Sequence, residues 1–120
     1  MITEDYVNFE CAKLLKEKGF DRYPLFPCYK EDNGEFIDIP TTLDTINYCF
    51  IPAPTLQMAM KWLREKHAII IELHHQHRKE WYAIISSENP LGIGVYTTSN
   101  FNTYEEACET AIKYCLENLI

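Results

Sequence analysis

Five of the six prolines in this 120-residue chain lie between residues 24 and 54. Proline has no backbone N–H and disfavours the helical conformation of the residue before it, so no long helix can cross this stretch. The three prolines from Pro40 to Pro54 lie in a segment without a hydrophobic period, which predicts a long connection over residues 40–54. The chain is thereby divided loosely into residues 1–54 and residues 55–120.

The composition indicates one soluble globular domain rather than two. A chain of 14.1 kDa is short for two independent cores, so both parts are expected to share one. Apolar residues make up 47% and charged residues 24%, which excludes a disordered tail, a collagen-like repeat and a coiled coil. The net charge of −7 disfavours general binding to nucleic acid or to an anionic membrane.

Cysteine usage and the amino terminus predict a reduced, cytosolic protein. The first residues, Met1 to Asp5, lack the basic and apolar regions of a signal peptide, and no apolar run approaches the ~18 residues of a membrane helix. The five cysteines are an odd number, and no pair has the C-x-x-C spacing of a zinc or redox site. We therefore expect them to be reduced and buried as small apolar side chains.

The first part predicts a helix followed by a β-hairpin. Thr3 is a suitable N-cap for a helix reaching Lys18, and Gly19 is suited to end it, with Phe20 folding back in a Schellman motif. The apolar stripe of this helix is Val7, Cys11, Leu14 and Leu15. Asn33-Gly34, between residues 28–32 and 35–39, predicts a hairpin turn in which both residues have positive φ.

The second part predicts the order αβββα. Thr55 caps a helix reaching about Lys66, and strands follow over Ile69–Gln76, Trp81–Ser87 and Gly94–Ser99. A capping box then begins the last helix at Thr103-Tyr104-Glu105-Glu106. Its expected buried stripe is Ala107 or Cys108, Ala111, Ile112, Cys115 and Leu119.

A tight turn at Arg78-Lys79 would pair Leu73 with Ile84 and His75 with Tyr82. This register places one set of residues on the core face, namely Ile69, Ile71, Leu73 and Ile84. It directs another set away from the core, namely Ile70, Glu72, His74, Trp81 and Ile85. The whole chain is then a single α+β domain of two layers in the order α-β-β-α-β-β-β-α, with an antiparallel sheet and helices on one face.

Two segments carry a resemblance to a known group of proteins. Residues 54–65, PTLQMAMKWLRE, and residues 104–116, YEEACETAIKYCL, resemble short uncharacterised proteins of gut Bacteroidetes genomes, often encoded near phage-type or mobile-element genes. The resemblance covers roughly a third of the chain. It implies a mobile-element accessory protein, and it implies no catalytic residue, because none is known for the group.

Residues 55–120 also resemble double-stranded RNA-binding domains in the order of their elements. His77-Arg78-Lys79 falls in the first strand–strand turn, where those domains contact the minor groove. They also need a basic start to the last helix, to hold phosphate groups. Here that start is Glu105-Glu106, followed by Glu109, which counts against RNA binding.

The most unusual stretch of the sequence is the basic, histidine-rich segment 61–79. All four histidines lie between His67 and His77, and the five basic and two acidic residues give this segment a charge of +3, against −10 for the rest of the chain. The candidate binding residues are His74, His75, His77, Arg78, Lys79 and Trp81.

Three interpretations of this segment remain open. His75 and His77 share a strand face and are weak candidates for metal ligands, but the sequence names no third ligand. Arg78 and Lys79 beside Trp81 could contact an anion or nucleic acid. The simplest interpretation is a solvated hairpin tip with one histidine packed on Tyr82.

No catalytic motif is present: there is no G-x-S-x-G, P-loop or H-E-x-x-H, and no cofactor is indicated. Trp81, Ile85 and His74 would form an exposed apolar patch if residues 20–54 leave their face open. We therefore expect a non-catalytic module that binds another protein, or a second copy of itself, through an exposed sheet face or edge. The alternative is nucleic-acid or anion binding through residues 61–79, and no membrane contact is expected.

Overall fold

The computed structural model describes residues 4–21, 27–38, 50–77, 80–89 and 92–120. Its helices are α1 (Phe9–Glu17), α2 (Leu56–His67) and α3 (Tyr104–Asn118). Its strands are β1 (Cys28–Lys30), β2 (Phe36–Ile37), β3 (Phe50–Pro52), β4 (Ile69–Gln76), β5 (Glu80–Asn89) and β6 (Gly92–Thr97). The α+β class with antiparallel strands is confirmed, and the strands form two three-stranded sheets, ordered β2-β1-β3 and β4-β5-β6.

Helix α1 begins at Phe9, five residues after the start at residue 4 that a Thr3 N-cap predicts. Asn8 is the N-cap, and its Oδ1 accepts a hydrogen bond from the Cys11 N–H at 2.8 Å. The residues before Asn8 are extended, because Val7 N donates to the Pro54 carbonyl at 3.0 Å and Leu56 N donates to the Asp5 carbonyl at 3.0 Å. These long-range bonds hold the segment beside the start of α2, and the prediction of a helix there was wrong.

The predicted end of α1 is confirmed. Gly19 has a φ of 98°, its N–H donates to the Lys16 carbonyl, and the Phe20 N–H donates to the Leu15 carbonyl at 2.9 Å. This is the hydrogen-bond pattern of a Schellman motif. Phe20 and Leu15 are both buried in the core, so the motif directs the chain back over the helix it ends.

The β1–β2 hairpin is present, with a longer turn than the Asn-Gly pattern predicts. Lys30 N donates to the Glu35 carbonyl, which leaves four residues in the loop. Of these four loop residues, only Gly34 has a positive φ, 73°. Asn33 Oδ1 accepts a hydrogen bond from Glu35 N at 2.9 Å. The side chain of Asn33 thus closes the turn, so the residue does not need the left-handed conformation.

Part of the predicted connection 40–54 is a strand. Phe50–Pro52 form β3, which pairs with β1 through Cys28↔Pro52 and Tyr29↔Ile51. A proline is tolerated here because β3 is an edge strand, where a residue without a backbone N–H can face the unpaired side of the sheet. The rest of that prediction, residues 40–49, lies outside the described residues.

The larger sheet has a register one residue away from the predicted one. Leu73 pairs with Ala83 and His75 with Trp81, rather than with Ile84 and Tyr82. Gln76 pairs with Glu80, so three residues rather than two separate the strands, and His77 enters this connection with a φ of 49°. Because side chains alternate along a strand, the shift exchanges the two faces of β5. The predicted turn residues Arg78 and Lys79 lie outside the described residues.

We call the two sides of the larger sheet the helix face and the outer face. The helix face packs against α2 and α3 and carries Ile69, Ile71, Leu73, His75, Trp81, Ala83, Ile85 and Tyr96. The outer face carries Ile70, Glu72, His74, Tyr82, Ile84, Ser86, Val95 and Thr97. Ile85 is buried and Ile84 is not, the reverse of the prediction.

Helices α2 and α3 begin where the sequence predicts. The Thr55 hydroxyl accepts a hydrogen bond from Met58 N, and the Thr103 hydroxyl accepts one from Glu106 N, each at 3.1 Å. Helix α3 contacts β4, β5, α1 and α2. It buries two adjacent faces through Ala107, Cys108, Ala111, Ile112, Cys115 and Leu116, so that one core takes residues from both parts of the chain.

The two left-handed glycines give a test of the packing between the hairpin and α1. Gly19→Ala is expected to cost about 1 kcal/mol, the penalty of a left-handed residue with a Cβ. Gly34→Ala should cost about 1 kcal/mol more, because its Cβ would lie 3.1 Å from Phe9 Cδ1, whereas nothing lies within 4 Å at Gly19. Urea denaturation measures both, with Gly94→Ala as a neutral control. Equal losses at Gly19 and Gly34 would contradict the contact with Phe9.

Candidate interaction surface

The structure divides the predicted site residues between two faces and a turn. His74 lies on the outer face, while His75 and Trp81 lie opposite each other on the helix face. His77 follows the end of β4 and is exposed, and the two basic turn residues lie outside the described residues. The four described candidates therefore do not share one face, and the prediction that Trp81 points away from the core was wrong.

Trp81 takes part in a cluster of aromatic rings at one end of the helix face. Its ring lies 4.7 Å from the ring of His75 and 5.3 Å from that of Tyr104, the latter edge to face at 87°. Trp81 also exchanges two backbone hydrogen bonds with Phe101, of 2.8 and 2.7 Å. Gln57 Nε2 on α2 donates to the Tyr104 hydroxyl at 2.7 Å. This group joins β5 to both helices and is structural.

The outer face is the apolar surface that this sheet leaves open. Ile70 and Val95 are 44% and 67% exposed, and each pairs with Ser86 from one side. Ile84, in the next row of β5, is half-buried and lies between Glu72 and Thr97. The apolar side chains are therefore neighbours across three strands, with a small hydroxyl between the two most exposed ones.

A histidine–tyrosine stack borders this apolar area. The ring of His74 lies 5.3 Å from that of Tyr82, at an interplanar angle of 15°. His74 Nε2 also lies 3.3 Å from Glu72 Oε2, two residues away on the same strand. This matches the expectation of a histidine packed on Tyr82, and it gives the outer face one rigid aromatic anchor and one carboxylate.

In the described part of the chain, no third ligand accompanies His75 and His77. Within those ranges no group of three or more His, Cys, Asp or Glu side chains is placed to hold a metal ion. His77 has left β4 and has a left-handed backbone, so the alternation that would align it with His75 no longer applies. The pair His75 and His77 stays a prediction from spacing.

Three of the five basic positions of segment 61–79 lie on one helix. Lys61, Arg64 and Lys66 are exposed on α2, which leads into the first residue of β4. The other two, Arg78 and Lys79, lie outside the described residues.

The four described cysteines are free, buried and poor nucleophiles. Burial raises the pKa of the Cys11, Cys108 and Cys115 thiols to about 12 and that of Cys28 to about 11. The Cys108 thiol donates to Met60 Sδ at 3.5 Å, a contact between two core helices. The interpretation of these residues as small apolar side chains is confirmed.

Alkylation of these thiols should be slow in the folded protein. Because a thiolate is the reacting form, a pKa of 11 to 12 predicts modification at pH 8 at least about a hundredfold slower than in the unfolded chain. Iodoacetamide labelling followed residue by residue by mass spectrometry measures this, with the urea-unfolded chain as the reference. Rapid labelling of any of the four under native conditions would contradict the core arrangement.

Glu109 makes a structural contact that the sequence does not predict. From α3, its Oε1 accepts a hydrogen bond from Asn8 N, at 2.6 Å, at the amino end of α1. Burial, with a smaller contribution from Asp5, raises the pKa of Glu109, and the Asn8 hydrogen bond opposes the rise. In the sequence it is one more acid on a helix, since nothing local indicates that the start of α1 lies against it.

The raised pKa of Glu109 predicts that Glu109→Gln increases the free energy of unfolding, and that this increase depends on pH. The ordinary pKa of a glutamate is 4.5, and burial raises the pKa of Glu109 in the folded protein. The protonated carboxyl group therefore contributes its full stability below pH 4.5, and this contribution is lost as the pH rises through the pKa of the folded state. Glutamine keeps the acceptor oxygen without the charge. The variant should therefore unfold at a higher urea concentration than the wild type at pH 7 and at the same concentration near pH 4.

Glu106→Gln is the matched control, because Glu106 is exposed in the first turn of the same helix. There a negative charge is favourable to the helix dipole, so the control should lose up to about 0.5 kcal/mol at pH 7. A loss of stability in Glu109→Gln at pH 7 would show that its charge contributes to capping α1, contrary to this prediction.

Comparison with protein-family models, curated proteins and solved structures gives no match for this chain. Among its described helices, none combines the length and the apolar character needed to cross a membrane.

Proposed function

We propose that this protein acts by binding another protein through the outer face of its larger sheet, without catalysis, as an accessory protein of a mobile element. The observation that carries this proposal is the row Ile70–Ser86–Val95, where two large apolar side chains, 44% and 67% exposed, lie on either side of one serine. An exposed apolar area of this kind is typical of an interaction surface.

The aromatic stack at its border adds to this argument. Rigid aromatic side chains with a polar group are common anchors at interfaces, because they bury a large area at a small entropic cost. The stack of Tyr82 with His74 presents such a group, and the Glu72 carboxylate beside it supplies a charge. An apolar centre with a polar border is the usual arrangement of a protein–protein contact.

The proposal of a mobile-element origin depends on the resemblance of residues 54–65 and 104–116. These residues form most of α2 and α3, which are core helices rather than surface elements. The resemblance therefore lies in the helices that support the larger sheet and does not include the residues of the outer face.

Site-specific photo-crosslinking tests the proposed surface. p-Benzoylphenylalanine is introduced in place of Val95 and, as the control, in place of Met58, which is 42% exposed on α2. In a lysate of the native host, position 95 should crosslink a defined protein that position 58 does not. Excess unlabelled protein should compete, and Ile70→Lys should abolish the product. Identical products from both positions would overturn the proposal.

Nucleic-acid binding is the second candidate, favoured by the exposure of Lys61, Arg64 and Lys66 on one helix. It makes a different prediction, because phosphate contacts depend strongly on salt. A labelled RNA or DNA duplex should then be retained at low salt, and retention should be lost in Lys61→Glu/Arg64→Glu and kept in Val95→Lys. Loss in Val95→Lys alone would exclude the basic helix as the site.

A further inference from the structure

We propose that two copies of this chain associate through β4, which pairs antiparallel with β4 of the second copy to form one six-stranded sheet. This inference depends on the proposed function, since it names one partner and places it at the edge of the same outer face. It starts from the position of β4 at one end of the order β4-β5-β6. On its far side, no strand among the residues that the structure describes pairs with it.

Strand β4 lacks most of the features by which proteins protect an exposed edge, and Glu72 is its one acidic residue. Edges are usually short, or carry proline, lysine or a bulge, and so avoid pairing with other chains. β4 is eight residues long and contains none of proline, glycine, lysine and arginine. The other described edges are weaker templates: β2 has two residues, β3 contains Pro52, and β6 contains Gly92 and Gly94.

The charges on β4 select one register for the pairing. A two-fold axis perpendicular to the sheet through Leu73 places Glu72 directly opposite His74 of the second copy, and His74 opposite its Glu72. Directly opposite side chains lie about 5 Å apart, close enough for two favourable pairs. The register centred on Glu72 overlaps as many residues but places the two Glu72 carboxylates opposite each other. Charge complementarity therefore favours the axis at Leu73.

The same axis keeps the outer faces of both copies on one side of the sheet. The apolar side chains Ile70, Ile84 and Val95 of each copy would then lie on the same side of the sheet, as two apolar areas with the Glu72 and His74 pairs between them. Helices α2 and α3 remain on the opposite side. The dimer thus does not cover the proposed interaction surface of either copy.

Sedimentation equilibrium of the purified protein, with a charge-swap series, tests the register. Glu72→Arg removes the two favourable pairs across the axis and His74→Glu replaces them by two pairs of opposed carboxylates, so each should raise the dimer dissociation constant about tenfold. The double variant exchanges the signs and should return it to within about threefold of the wild type. Glu65→Arg, an exposed acid on α2, is the control and should leave association unchanged.

Several outcomes would overturn this inference. A monomer at pH 5.8 and at pH 7.5, up to about 1 mM, excludes the dimer. A dimer whose dissociation constant is unchanged in Glu72→Arg excludes the register, since an axis through residue 72 would only replace two opposed carboxylates by two opposed guanidinium groups. A monomer that still crosslinks a different protein from position 95 would remove the dimer and leave the proposed function intact.

Discussion

Replacing Ile112 by alanine is expected to lower the free energy of unfolding by about 2–5 kcal/mol. Ile112 is fully buried on α3, the helix that contacts both other helices and the larger sheet. Truncation removes three methyl or methylene groups from a site enclosed by several elements, and these cannot all move to fill the cavity. Urea denaturation followed by circular dichroism measures the loss.

Ile70→Ala is the matched control, with the same chemical change at a position that is 44% exposed on the outer face. It should cost less than about 1 kcal/mol, because much of its side chain already contacts water. If Ile112→Ala does not fold, Ile112→Val should still be measurable, with a loss of about 1 kcal/mol. Equal effects at residues 70 and 112 would mean that α3 is not the centre of the core.

The helix ends could be predicted because their signals are local. Thr55, Thr103 and the pair Gly19-Phe20 each act on backbone groups within five residues, and each acts as predicted. The start of α1 could not be predicted in the same way. Hydrogen bonds between residues 5–7 and residues 54–56 decide it, and such contacts across about fifty residues leave no local pattern.

The face of β5 could not be predicted because both of its faces carry isoleucine. Ile84 and Ile85 are adjacent, as are Ile69, Ile70 and Ile71 on β4, so two registers one residue apart each bury an aliphatic set. The length of the turn then decides between them, and a three-residue connection selects the register that buries Ile85. The same ambiguity explains why Trp81 was placed on the wrong face.

The exchange of faces changes what the candidate residues can do. Trp81 and His75 belong to the packing between β5 and the helices, while Ile70, Ile84 and Val95 form the open apolar surface. The sequence predicts an exposed apolar patch on the sheet and assigns Trp81 to it, whereas the structure places Trp81 against Tyr104 on the helix face. His74 is the candidate that lies on the outer face in both descriptions.

Replacing Trp81 by alanine is accordingly expected to destabilise the fold rather than to weaken an interface. The half-buried indole contacts His75 and Tyr104, so its loss should lower the free energy of unfolding by about 2–3 kcal/mol, below the cost at a fully buried site. Trp81→Phe keeps a ring in the same place and should recover more than half of the loss. Urea denaturation compares the two variants.

Tyr82→Ala distinguishes the role of the outer face from that of the helix face. Tyr82 follows Trp81 along β5 and lies on the outer face against His74. It should reduce crosslinking from position 95 while costing less stability than Trp81→Ala. Trp81→Ala, measured under conditions where it is fully folded, should crosslink as the wild type does. The reverse result, a stable Trp81→Ala that no longer crosslinks, would mean that the partner contacts the helix face, and the outer face would then lose its role.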